Sequence, residues 1–271
     1  MLAKRIVSIL IGAPFVIGLI FCPAAAVFKV FVMACLAVAF LEYFRLTGFG
    51  PVERRLALLL GLIHIGTLLF SDLSGQGILM ELSILILVTF IFYCFRSTET
   101  AGTVEGVASR MALLLLGILY IGTLGSFIGL VRDLPHGIFW ILLLLGMTWL
   151  NDTFAYLAGH RFGRRRLAPR ISPGKTIEGF LGGYLGSFCA FLLVSFFLDN
   201  PLTLRDGFFL TFLVGTIAPV GDLSESLIKR SFHVKDSGTI IPGHGGMLDR
   251  IDALLFAAPV VYGYAKFIYG I

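Results

Sequence analysis

Charge is what this sequence has least of. Only 14% of its 271 residues are charged against 58% hydrophobic, and mean hydropathy is +0.96. An average soluble domain carries about 25% charged residues, so these few could not solvate the outside of a water-borne globule of 29.6 kDa. That excludes a soluble fold. Cysteine is scarce as well. Cys22, Cys35, Cys94 and Cys189 lie in or beside apolar runs, with no CxxC pair and no Cys/His cluster of zinc spacing. Zinc and dithiol chemistry drop out, and the four read as small lipid-phase side chains. No 20-to-50-residue repeat or low-complexity tract is present, so repeat architectures drop out too. Residues 1–26 imitate a secretory signal, but apolar sequence resumes at Val27 and runs to Leu41. A first membrane helix is expected there, not a cleaved leader.

What is present is apolar sequence in long runs. Bounded by charges, Pro or Gly clusters, they cover 6–22, 25–43, 56–71, 77–95, 111–131, 137–158, 180–198, 207–226 and 251–269. The expected architecture is all-α, a polytopic integral membrane protein with about nine transmembrane helices. Nine spans take roughly 180 residues at about 20 each, which leaves no room for a separate soluble catalytic domain. The basic residues orient the chain. With the N-terminus inside, Lys29, Arg132, Arg205 and Lys266 fall on the outer side, and the other seventeen of 21 Lys and Arg fall in cytoplasmic segments. Short cytoplasmic loops are enriched in this way, so the C-terminus is expected outside and the two longest basic loops inside.

The halves differ. Residues 1–135 read as scaffold, with His64 the main ionisable group among their spans and expected to hydrogen-bond between helices. Residues 136–271 read as the catalytic region, with cytosolic loops at 159–179 and 227–250.

Three stretches of that half carry chemistry. In WLNDTFAYLAGH, residues 149–160, Asp152 sits inside an apolar helix, where a carboxylate normally faces a polar cavity, a cation or a basic partner. The bland alternative is a helix cap or a pair with the basic loop that follows. In RFGRRRLAPRISPGKTIEG, residues 161–179, six basic side chains face anionic headgroups or act as a topology signal. SPGKT is not a Walker loop, because Pro169 stands where the first Gly belongs. Lys175, behind a Pro-Gly turn and ahead of Glu178, remains a candidate phosphate-directed ammonium. Gly179, Gly182, Gly183 and Gly186 repeat at four-residue spacings that suit close helix packing in lipid.

The third stretch, residues 221–252, is polar and Gly-rich. Asp222 with Glu225, and Asp249 with Asp252, are three apart and share a helix face. Converging carboxylates repel unless a cation bridges them, and Mg²⁺ prefers carboxylate and phosphate oxygens. Lys229, Arg230 and Lys235 lie between the pairs, and PGHGG offers bare backbone N–H groups. Acids for a metal, bases for phosphates and a bare loop are the parts of a phosphoryl-type transfer site.

Residues 226–252, SLIKRSFHVKDSGTIIPGHGGMLDRID, resemble the signature of the phosphatidate cytidylyltransferases, or CDP-diacylglycerol synthases. Ser226, Lys229, Arg230, Lys235, Asp236, Gly238, Pro242, His244, Gly245, Gly246, Asp249, Arg250 and Asp252 follow that pattern in order and spacing, and WLNDTFAY and SPGKTIEG are similar to the same family. The resemblance implies the reaction of CTP with phosphatidate to give CDP-diacylglycerol and pyrophosphate, with Mg²⁺, on the cytoplasmic side of a membrane, expected to be a bacterial inner membrane. It implies a catalytic set of Lys175, Lys229, Arg230, Lys235, Asp236, His244 and Arg250. Lys175, Gly245 and Gly246 are expected at the nucleotide, and Asp222, Asp249, Asp252 and Asp152 at the metal, with Asp222 and Asp249 foremost and a second cation left open. His244 is expected to organise the loop or donate to phosphate, since an anionic phosphate monoester needs no strong base. The expected partners are CTP, phosphatidate and membrane lipids, with no nucleic acid and a homodimer left open. Rival readings are a CTP-dependent polyprenol or lipid kinase and an ion-coupled transporter suggested by the intramembrane acids.

Overall fold

Lipid offers no partner for a backbone N–H or C=O, so apolar runs of this length must close their hydrogen bonds within themselves. The computed structural model describes residues 12, 14–100, 104–199, 202–238, 240 and 245–270. Its helices are α1 (Ala25–Leu46), α2 (Pro51–Phe70), α3 (Gly75–Thr100), α4 (Val104–Gly117), α5 (Leu124–Asp133), α6 (Gly137–Phe162), α7 (Ile177–Phe197), α8 (Leu204–Ser231) and α9 (Leu248–Gly263). A π-helical segment, Ile118–Thr123, joins α4 to α5, and a second, Tyr264–Tyr269, ends α9.

Seven helices among the described residues are long and apolar enough to cross a membrane, with α4, the π segment and α5 forming one of them. The all-α membrane architecture holds; the count of nine is approximate. Helix α2 has 20 residues but opens on Glu53, Arg54 and Arg55, which separates it from the seven. Of the expected span at 6–22, residues 12 and 14–22 are described and 14–21 are helical; residues 6–11 and 13 lie outside the described residues.

The bundle has two distinct ends. At one, the Lys29 ammonium pairs with Asp133 at 2.6 Å and donates to the Leu69 carbonyl, while Arg132 donates to the Ile20 and Cys22 carbonyls at 3.0 Å. At the other, Arg110 pairs with the buried Glu53 at 2.6 Å and donates to the Gly48 carbonyl. Between them, His64 bridges helices as expected, Nδ1 to Glu81 at 2.9 Å and Nε2 to Thr123 at 2.8 Å. The expectation that His64 is the main ionisable group of this half needs correcting, because Glu42 and Glu53 are buried there and Glu81 is His64's own partner.

The seam between α6 and α7 is made by glycine. A β-carbon on Gly182 would lie 2.4 Å from Ala158 Cβ, and one on Gly186 would lie 2.1 Å from the Leu150 carbonyl oxygen. Asn151 donates to Ser187 Oγ at 3.0 Å across the same seam, and Ser187 donates to the Met147 carbonyl. The four-residue glycine spacing therefore serves helix contact. Because the Gly186 contact is backbone, no rotamer change relieves it. Gly186→Leu is expected to cost at least about 1–3 kcal/mol, read as a lower thermal midpoint in detergent; an unchanged midpoint would show that the seam is not tight.

Between α6 and α7 the chain forms an antiparallel hairpin of β1 (Arg166–Ala168) and β2 (Ser172–Thr176). Pro173 and Gly174 thus lie in a strand, not in the turn expected ahead of Lys175. The helices also run further than expected: α6 reaches Phe162, α7 begins at Ile177, α8 reaches Ser231 and α9 begins at Leu248, where loops at 159–179 and 227–250 were anticipated. Polar residues at a helix end do not stop it; α6, α7 and α8 continue through them.

Candidate functional site

Lys175 owes its position to the entry into α7. Thr176 is the N-cap, its Oγ1 accepting the Gly179 N–H at 3.1 Å. One turn on, the Glu178 carboxylate accepts the N–H groups of Arg164 and Arg165 and ties the end of α6 to the start of α7. Strand β2 is held from both sides, and Lys175 projects from it to Asp222 of α8, with Nζ 2.6 Å from the carboxylate.

This pair stands in a cleft of about 760 Å³. The end of α6 contributes Asp152, Tyr156 and His160, the hairpin contributes Arg166 and Lys175, α8 contributes Pro219 and Asp222, and the first turns of α9 contribute Asp249, Arg250 and Asp252. These elements could not approach so closely with larger residues at two glycines. Gly221 of α8 packs on the Asp252 backbone, where a β-carbon would lie 2.6 Å from its carbonyl oxygen, and Gly159 of α6 abuts Gly179 and Thr176. The sequence-predicted residues from three separate stretches, Asp152, Lys175, Asp222, Asp249, Arg250 and Asp252, are thereby brought to one cavity.

Others of the predicted set stand behind it. Lys229 does not line the cleft; its ammonium lies between Glu225 and Asp249, at 2.6 Å from the latter. Glu225 is 1% exposed, and its Oε1 has no hydrogen-bond donor among the described residues. Arg230 donates to the Ile171 and Val234 carbonyls, linking the end of α8 to the hairpin turn. Lys235 and Asp236 are exposed in the loop after α8. The Gly246 N–H donates to Asp249 at 2.8 Å, and Gly245 takes φ +83°, which glycine alone adopts freely. His244, with Pro242, lies outside the described residues.

The acids differ in how they are used. Asp249 accepts from Lys229 at Oδ1, from the Gly246 N–H at Oδ2 and from the Ser237 N–H shared between both oxygens, so it is the most fully engaged of the four. Asp222 is paired with Lys175, whereas Asp152 and Asp252 make no ion pair among the described residues. No three His, Cys, Asp or Glu side chains among the described residues form a metal cage on their own. Mg²⁺ does not need one, since it binds one or two carboxylates and completes its shell with waters and substrate phosphates. Two carboxylates without cationic partners beside a third held by a displaceable ammonium suit such an ion.

Sequence reading missed several participants. Tyr156 and His160 stack at 6.0 Å on the cleft wall, and their four-residue spacing from Asp152 along α6 was the available signal. Arg166 was submerged in its basic cluster. Glu42, described below, gave no local signal.

Comparison with known proteins bears on this geometry. The family model described as "Cytidylyltransferase family" matches residues 3–268. A phosphatidate cytidylyltransferase of Thermotoga maritima is 39% identical over 195 residues, 70% of each chain. Those of Staphylococcus saprophyticus and Staphylococcus aureus are 41% and 40% identical over 150 residues, 55% of this chain and 57% of theirs. This chain spans somewhat over half the length of those staphylococcal relatives. With the family model matched over residues 3–268, this chain belongs to the cytidylyltransferase family.

Proposed function

We infer that this chain transfers a cytidylyl group from CTP to phosphatidate, giving CDP-diacylglycerol and pyrophosphate. One observation carries the reading beyond family membership: Lys175 and Asp222 face each other in a cleft that also holds Asp152, Asp249 and Asp252. A triphosphate needs ammonium and guanidinium donors, which Lys175, Arg166 and Arg250 supply from the cleft wall. A phosphate oxygen of phosphatidate attacks the α-phosphorus of CTP. The new P–O bond forms as the bond to the β-phosphate oxygen breaks, and pyrophosphate leaves with the electron pair. Lys175 holds the phosphates in line, because such transfer depends mainly on positioning and charge neutralisation.

Asp222, Asp252 and Asp152, with Asp249 beside them on the cleft wall, are the residues that would hold Mg²⁺. When bound, it would supply positive charge to the phosphate oxygens and the departing pyrophosphate. The buried Glu225 Oε1, an acceptor without a donor among the described residues, suits a water or a second cation next to that group.

We place the cleft on the cytoplasmic face of a bacterial inner membrane, with the N-terminus inside and the C-terminus outside. The support is electrostatic: Arg161, Arg164, Arg165, Arg166, Arg170, Lys175, Lys229, Arg230, Lys235 and Arg250 all flank the cleft end of α6, α7, α8 and α9. The test is incubation of inside-out and right-side-out vesicles with labelled CTP and phosphatidate, followed by separation of lipid and soluble products. Inside-out vesicles are expected to form CDP-lipid and pyrophosphate, and chelation of divalent ions to reduce this to background. CDP as the soluble product would mark a lipid kinase; product from sealed right-side-out vesicles would reverse the orientation.

A further inference from the structure

The start of α9 has no cap of its own. Its N-cap residue, Met247, offers no side-chain acceptor, although Ser, Thr, Asp or Asn ordinarily serves there. The acceptor comes from α1. Glu42 Oε1 accepts the Met247 N–H at 3.0 Å and Oε2 accepts the Leu248 N–H at 2.9 Å, with the Ser237 hydroxyl donating to Oε2 at 3.3 Å. Glu42 is 1% exposed and has no ion-pair partner among the described residues. A carboxylate so buried persists because backbone N–H groups and the positive end of a helix surround it.

The loop ahead of α9 is shaped around this group. A β-carbon on Gly238 would lie 2.4 Å from Glu42 Oε1, and one on Gly246 would lie 2.6 Å from Oε2. Neither position has room for a side chain while Glu42 is in place. Ser237 is shared: its hydroxyl goes to Glu42 and its N–H to Asp249. Two carboxylates, one from α1 and one from α9, therefore grip the same loop from opposite sides, and the second lines the cleft.

We propose that Glu42 is a positioning residue for the transfer site, fixing Ser237, Gly238, Gly246 and the first turn of α9 so that Asp249 and Asp252 face the substrates. This rests on the cytidylyl-transfer reading. A donor-to-donor clash at one oxygen is enough to displace the turn, and a displacement of about 1 Å in a positioned site can cost about 10²-fold in rate.

The test compares Glu42→Gln with the wild-type chain in detergent micelles. Glutamine keeps the shape but turns an NH₂ toward a backbone N–H. The expected result is a fall in kcat of about 10- to 100-fold with KM for CTP within about threefold, together with faster amide exchange confined to 236–250. Ser237→Ala, which deletes one donor to Glu42 and retains the Ser237 backbone N–H, is expected to lower kcat in the same direction by a few fold and serves if Glu42→Gln does not fold. Near-wild-type kcat in whichever variant folds overturns the proposal, as does a loss of activity matched by an equal loss of folded protein. A wild-type chain that makes no CDP-lipid instead removes the functional reading on which the proposal rests.

Discussion

Asp222→Asn is expected to lower kcat by at least about 10²- to 10³-fold, the scale of losing one preorganised charge at a transfer site, while the protein stays folded. The two halves of that expectation have separate grounds. Asp222 lines the cleft opposite Lys175 and its side chain is 31% exposed, so neutralising it strands no buried charge. Its ion pair with Lys175 is solvent-accessible and contributes little stability. Asparagine keeps the size and the acceptor for the Ser226 hydroxyl, which donates to Asp222 at 3.3 Å. What is lost is negative charge where a divalent ion and a triphosphate are proposed to meet. Steady-state turnover of labelled CTP, with thermal melting of the same preparation, checks both parts. Turnover within tenfold of wild type would remove Asp222 from the metal site.

Lys229→Met should show the reverse balance, with a large loss of stability. Its ammonium is the contact that Glu225 and Asp249 share, and all three side chains are buried or nearly so. Removing one partner of a buried ion pair typically costs about 3–5 kcal/mol, because a charge is left uncompensated. For a chain of this size that corresponds to a fall of roughly 10 °C in the melting midpoint. Adding Glu225→Gln removes one stranded charge, and the double variant is expected to recover much of the midpoint but not the turnover. Asp249 would still accept from Gly246 and Ser237, yet without the cation that fixes its remaining oxygen. A single variant as stable as the wild type would show that Lys229 is not holding these acids together.

The architecture was legible because lipid enforces a simple code. Apolar runs near 20 residues must be helices, and basic residues gather at one set of ends, so the seven candidate spans could be drawn from the apolar runs alone, though not their exact ends. The α6/α7 seam was legible for a similar reason, since four-residue glycine spacing has few other uses in an apolar helix. The cleft was legible as a set of residues but not as an arrangement. Spacing showed that Asp222 and Glu225 share a face, yet not that Glu225 turns inward to Lys229 while Asp222 faces Lys175. Hairpin β1–β2 had no alternating pattern to announce it, with Pro173 and Gly174 in one strand. Glu42 was hidden most completely. In the run LEYFRL it reads as a charge at the end of a span near Arg45, and its partners lie 195 to 206 residues away. No local pattern can report a contact of that range.

Helix α8 is longer than a bilayer core is thick. Its 28 residues measure about 42 Å, roughly 12 Å more than the hydrocarbon thickness of a bilayer. Its far end is closed by the Thr203–Asp206 capping box, with Asp206 also accepting from Tyr264, and the orientation proposed above assigns the surplus to the end bearing Lys229 and Arg230. Counting back from Ser231, Asp222 lies about 14 Å inside the tip, which on that assignment, with α8 along the membrane normal, sets it at the boundary where hydrocarbon gives way to headgroups. A lipid phosphate already resides at that depth, and a nucleotide can reach it without shedding its water. The two reactants can thus meet with neither one changing phase.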